Sequence, residues 1–225
     1  MDIVGVIALS MGVAWASGIN LYAAVFMLGW LGNSGNLVLP EALQVCSDPM
    51  VMAAAGLMYC VEFFADKIPG VDTGWDVIHT FIRIPAGAIL AAGAVGELGA
   101  GAELAALLLG GGLAATTHAT KAGGRVLINT SPEPVTNWTA SITEDVAVIG
   151  GIWMALNYPL LFIVLLLVVI VLMAWLLPKI WRGVKTLCSR IGAFFRSGGK
   201  GVFQAGEPPL ALPGAADKQK PPEGG

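Results

Sequence analysis

The stretch EFFADKIPGVDTGWDVIHTFIR, Glu62 to Arg83, decides how the rest of the chain is read. It holds Glu62, Asp66, Lys67, Asp72, Asp76, His79 and Arg83, and it lies between two segments apolar enough for a bilayer. Charge so close to lipid is costly and needs an architectural or functional reason. Pro69 and Gly70 mark a turn within it. Thr73 to Asp76 then has the form of a capping box that starts a helix. From there to Arg83, Val77, Ile78, Phe81 and Ile82 fall on one side, as in an interfacial helix, and Pro85 breaks or kinks that helix.

The surroundings fit a membrane protein. Of the 225 residues, 56% are hydrophobic and 12% charged, with net charge −3. Soluble domains carry about 25% charged residues, so a soluble fold would lack the polar surface to cover itself. Cys46, Cys60 and Cys188 are widely spaced and form no disulfide framework or metal signature. Residues 3–13 have the length of a signal h-region, but Asp2 replaces a basic n-region and the apolar pattern continues to Trp30, so the segment reads as a retained span.

Going outward, the apolar segments are Ile3–Leu31, Pro49–Ala65, Ala86–Leu98, Ala102–Ile128, Ile142–Leu156 and Leu160–Leu177. The first is interrupted by Ser17, Gly18 and Asn20, the fourth by Thr116, Thr117 and His118. Ser141 to Glu144 resembles a second capping box. Residues 181–196 alternate apolar and basic positions at helical spacing, which suits anionic lipids of an inner leaflet. Residues 198–225, rich in Gly, Pro and charge, read as a disordered tail.

With the basic C-terminus in the cytoplasm and six spans, the inner side receives all 12 Lys and Arg residues and the outer side none. Both termini are then cytoplasmic. The two halves also correspond, each with a long interrupted segment, a proline-containing loop, a short span and a third span. Three spans per half make this an inverted repeat, as in many secondary transporters. The expected fold is all-α: a polytopic helical membrane protein, six spans in two inverted three-helix repeats with broken helices. The repeats are residues 1–98 and 99–178, followed by a basic interfacial helix, 179–197, and the tail.

In such folds, helix breaks meet near the midplane and bind substrate or ions. Ser17, Gly18 and Asn20 are then expected to face Thr116, Thr117 and His118, with His118 able to carry a proton. Glu62 and Asp66 share a helix face at a C-terminus, where the macrodipole disfavours negative charge. Lys67, Arg83, a bound cation or a proton should compensate them. Glu144 and Asp145 could face the same vestibule. Asp72, Asp76 and His79, at i, i+4 and i+7, could suit a divalent cation, although Asp72 and Asp76 also fit helix caps. No GxSxG, HExxH, paired CxxC or P-loop motif occurs, and neither enzyme activity nor a cofactor is expected.

The segments ASGINLYAAVFMLG (16–29), VEFFADKIPGVDTGWDVIHTFIR with PAGAIL (61–90) and THATKAGGRVLINTSPEP (117–134) resemble the bacterial membrane-protein family filed as domain of unknown function 4126. The resemblance covers about residues 3–175. It implies a small polytopic inner-membrane protein and gives no activity. The leading expectation is therefore a small transporter or channel-like permease, proton- or cation-coupled. A membrane scaffold and, less favoured, a lipid-headgroup enzyme are the alternatives. The expected partners are the bilayer, anionic lipids at residues 181–196, an ion or small solute and further copies of the chain, with no nucleic acid.

Overall fold

The computed structural model describes residues 1–35, 37–130 and 134–197. They form α1 (Ile3–Asn33), a 3-10 segment (Glu41–Ser47), α2 (Pro49–Ala65), α3 (Val71–Ala94), α4 (Ala100–Ile128), α5 (Pro134–Asn157) and α6 (Pro159–Ser197). The expected all-helical polytopic architecture holds. The packed unit is Met1–Thr186. Of the second unit, residues 187–197 are helical, and 188–193 are exposed. The tail expected over 198–225 lies outside the described residues.

The first element departs most from expectation. At Asn20 the backbone leaves helical geometry, at φ −146° and ψ 94°. A straight helix would hold Val6 and Gly32 about 39 Å apart, at 1.5 Å per residue. Instead Met1, Ile3 and Val6 line one cavity with Leu39, Ala94 and Val95. Leu39 also packs against Gly32, where an added Cβ would lie 2.8 Å from Leu39 Cδ1. The helix therefore turns back on itself. One arm, residues 3–19, descends into the bundle, and the other, residues 21–33, returns to the same end. Asn20 Oδ1 accepts from the Ala23 amide at 3.0 Å, capping the start of the second arm.

Specific pairs set the direction of the arms. Ser10 Oγ donates to the Ala91 carbonyl at 2.8 Å and Ser17 Oγ to the Arg83 carbonyl at 2.8 Å, so the first arm is antiparallel to α3. It is antiparallel to α5 as well, through Gly12 against Ala155 and Asn20 against Asp145. It runs parallel to α4. An added Cβ at Gly18 would sit 2.5 Å from the Ala114 carbonyl and 2.7 Å from Thr117 Cβ, so only glycine permits this approach.

By length and apolarity, five helices could cross a membrane, α1 among them, or six if the Glu41–Ser47 and Pro49–Ala65 pair, bent by 65°, is one span. Because α1 returns to its own end, the elements that run from one end of the bundle to the other are α2 to α6. Met1 and residues 179–186 of α6 therefore lie at opposite ends, not on the common face expected. Among the described residues one end, the hairpin base, carries Asp2, Glu41, Asp48, Glu97 and Glu103 without a Lys or Arg, and the other carries Lys67, Lys121 and Arg125. In a cysteine-free background, Asp2→Cys and Glu41→Cys should react with an impermeant thiol reagent from one side, and Ile68→Cys from the other. Reaction of the Asp2 and Ile68 positions from one side would restore six crossings.

Several local expectations change. α4 is unbroken from Ala100 to Ile128. The hydroxyls of Thr116, Thr117 and Thr120 donate to the carbonyls of Gly112, Leu113 and Thr116 and stay within the helix. The second of the two expected breaks is thus absent. α3 continues through Pro85, so the expected interfacial helix and third span are one element whose exposed face is Val77, Ile78, Phe81 and Ile82. α5 starts at Pro134, well before Ser141, and α6 runs through Pro178 into the basic stretch without a separate helix.

Candidate functional site: an ionic cluster beneath the hairpin tip

The charges of the opening stretch are turned inward. Glu62, Asp72, Asp76 and Arg83 are each fully buried, and Asp66, Lys67, His79, Lys121 and Arg125 nearly so. α3 explains part of this: Asp72, Asp76, His79 and Arg83 recur every three or four residues and share the face opposite its apolar, exposed one.

Arg83 is the hub. Nη2 donates to Glu62 Oε1 at 2.6 Å and Nη1 to Asp76 Oδ1 at 2.8 Å. Lys121 Nζ donates to Asp66 Oδ2 at 2.8 Å and Glu62 Oε1 at 3.3 Å. Arg125 Nη2 donates to Glu144 Oε2 at 2.6 Å, and its Nη1 to the carbonyls of Asp66 and Asn137. Isolated buried charges cost several kcal/mol each, so close pairing is what makes this interior tolerable.

The hairpin tip meets the cluster directly. Lys121 Nζ donates to the Ile19 carbonyl at 3.0 Å, satisfying an acceptor that the helix break leaves open. Asn20 Nδ2 donates to Asp145 Oδ1 at 2.9 Å. Asn20 thus caps one arm with its oxygen and holds α5 with its nitrogen.

Glu62, Asp66, Asp76 and Glu144 are linked to Arg83, Lys121 and Arg125, four carboxylates to three cations. Three of the buried carboxylate oxygens, Glu62 Oε2, Asp66 Oδ1 and Asp76 Oδ2, have no hydrogen-bond partner. With every group ionised, the cluster carries one negative charge in excess. A proton or a small cation would neutralise it.

The histidines are committed elsewhere. His118 Nδ1 lies 3.2 Å from Arg83 Nη1, which can only donate, so Nδ1 accepts. Its Nε2 carries the hydrogen, towards the Asp76 carbonyl at 3.1 Å and Thr80 Oγ1 at 2.8 Å. A second proton on His118 would require Arg83 to leave. His79 Nδ1 donates to the Trp75 carbonyl, and its Nε2 accepts from the Tyr22 hydroxyl, both at 2.9 Å.

Of the residues singled out in the sequence, the structure gathers Asn20, Glu62, Asp66, Asp76 and His118 in this cluster. Gly18 packs on Thr117, as expected. Ser17 instead bonds the Arg83 carbonyl, and Thr116 bonds within its own helix. Asp72, in the first turn of α3, accepts from the amides of Gly70 and Thr73 and from Asn129 Nδ2; the helix starts at Val71 and Asp76 pairs with Arg83, so the expected capping box from Thr73 to Asp76 is not formed. Asp72, Asp76 and His79 thus have separate partners. Among the described residues, no group of three or more His, Cys, Asp or Glu side chains is placed to hold a metal ion.

Lys67 does not compensate Glu62. Its ammonium lies 2.9 Å from the centroid of the Phe63 ring and bonds the Phe63 carbonyl and Ser141 Oγ. Burial in this turn lowers the Lys67 pKa below the ordinary lysine value. Ser141 and Glu144 likewise bond Lys67 and Arg125 instead of capping a helix.

Sequence reasoning missed Lys121 and Arg125 as site residues, treating them as topological charges. Their signal was present: Thr117, His118, Lys121 and Arg125 recur at helical spacing on one face of α4. Asn129 and Asn137, which bond Asp72 and each other, carried no comparable pattern.

These features define a polytopic helical membrane protein built on a re-entrant hairpin over a buried ionic cluster. The sequence profile of domain of unknown function 4126 matches residues 7–179, and the chain belongs to that family. No curated protein and no solved structure matches it.

Proposed function

We propose that this protein is a small permease for an ion or small solute, coupled to a proton or monovalent cation taken up by the carboxylates beneath the hairpin tip. The observation that carries this reading is the break at Asn20, with its freed carbonyl on Lys121, set over a cluster one positive charge short. Broken helices at membrane depth are tolerated where they are buried in protein or line a cavity, and transporters use them to bind ions. His118 is an acceptor for Arg83 in this scheme, and the unpartnered oxygens of Glu62, Asp66 and Asp76 meet the coupling ion. The clustering of basic residues at one end favours that end as cytoplasmic in an inner membrane, with Met1 outside.

The test is a thermal-shift screen of purified protein against ions, small metabolites and headgroups across pH 5–8, paired with pH-driven flux in proteoliposomes. A ligand at about 100 times its dissociation constant stabilises by roughly 2.7 kcal/mol. A shift and a flux both lost in Glu62→Gln are the expected result. Stable protein with neither response overturns the reading. The exposed basic helix from Arg182 to Arg190 supports a second reading, a membrane scaffold. Removing residues 179–225 would then abolish a cellular phenotype that Glu62→Gln leaves intact.

A further inference from the structure

A groove of about 290 Å³ is lined by Trp15 and Ile19 of α1, Lys121 and Arg125 of α4, Glu144 of α5, and Val169 and Met173 of α6, among others. Its walls are apolar and its floor is charged. Arg125 lies within one turn of the end of α4, whereas Trp15, Val169 and Met173 lie near the middle of their passage through the bundle. The groove therefore grades from charged at headgroup depth to apolar at acyl depth.

Two further observations concern what it holds. Arg125 is 1% exposed, and its Nε–H has no partner. A buried guanidinium N–H without an acceptor is costly, and an anionic oxygen in the groove that Arg125 lines would satisfy it. Beside it, the Glu144 side chain is 22% exposed, against 5% or less for Glu62, Asp66 and Asp76. Glu144 is thus the carboxylate with room to swing away from Arg125.

We propose that this groove is a lateral binding site for one anionic phospholipid. Its phosphate takes the open Nε–H of Arg125 and displaces the Glu144 carboxylate, and an acyl chain lies along Trp15, Ile19, Val169 and Met173. Charge complementarity selects a headgroup of net negative charge, because the groove itself is lined by two cations, Lys121 and Arg125, against the single carboxylate of Glu144, which the phosphate displaces. This site differs from the basic surface at residues 181–196 and does not depend on the permease reading.

The experiment is native mass spectrometry of the full-length protein released from detergent with phosphatidylglycerol or phosphatidylcholine added. One retained phosphatidylglycerol, in preference to phosphatidylcholine, is expected. Gly124 lines the groove, and a Cβ there would meet nothing within 4 Å, so Gly124→Leu fills the groove without disturbing the cluster. It should lower phosphatidylglycerol affinity roughly tenfold or more, the loss of one charge-assisted hydrogen bond and its packing. Glu144→Gln should raise affinity, because the competing charge is gone. The combined Arg182→Gln, Lys185→Gln and Arg190→Gln variant should bind like the original. Equal retention of both lipids, indifference to Gly124→Leu, or loss of binding in the triple variant would each overturn the proposal.

Discussion

Replacing Arg83 with Met should cost about 3–5 kcal/mol, the cost of leaving buried carboxylates without their cation. Glu62 and Asp76 each take one arm of this guanidinium at 2.6 and 2.8 Å, and both are fully buried. His118 would also lose the donor to its Nδ1. Arg83→Lys should recover little, because a single ammonium cannot reproduce a planar fork that serves two carboxylates and a ring. The informative comparison is Arg83→Met with Glu62→Gln, which removes one negative charge together with the positive one. It should be more stable than Arg83→Met alone, as read by thermal unfolding in detergent. If Arg83→Met unfolds at the original temperature, the cluster is not what holds α2, α3 and α4 together.

The second large effect is expected at Asn20. Asn20→Leu removes the cap on the returning arm and strips Asp145 of the amide that bonds it. Lost caps cost about 1 kcal/mol, and an unsatisfied buried acceptor about 1–3 kcal/mol more. Asn20→Asp keeps the capping oxygen but sets a second carboxylate against Asp145, so it should be no better than Asn20→Leu near neutral pH. It should improve as the pH is lowered and one of the two carboxyls is protonated. An Asn20→Asp protein as stable as the original across pH 5–8 would show that the Asn20–Asp145 bond has no energetic role.

The polar interruption at residues 17–20 was legible in the sequence as a helix break, and Asn20 is the residue at which the helix breaks. That the chain reverses there was not legible. Counting basic residues per loop located the charged end correctly, because Lys67, Lys121 and Arg125 lie there. The same count could not detect the extra crossing assigned to α1, which contains no Lys or Arg and so carries no orientation signal. The similar-looking interruption at Thr116 to His118 misled for a different reason. Threonine hydroxyls can bond back within a helix, and the surrounding structure decides whether they do. Glu62 and Asp66 were legible as a charged helix end in need of cations. Of the expected compensating groups Arg83 does pair with Glu62, whereas Lys121 and Arg125 come from α4, which pairing rules within one helix cannot supply.

The hairpin also constrains how the protein is made. It is synthesised before the partners of its tip: Ser17, Ile19 and Asn20 bond Arg83, Lys121 and Asp145, which lie 66, 102 and 125 residues later. At about 5–20 residues per second, the tip waits roughly 6–25 s for Asp145 to be translated. Until then the Asn20 amide nitrogen lacks its acceptor, and the open Ile19 carbonyl lacks its donor until Lys121 arrives. Nascent chains stalled before α5 should therefore leave residues 3–33 open to proteolysis or held by the insertion machinery, and the hairpin should become protected late, when α5 arrives.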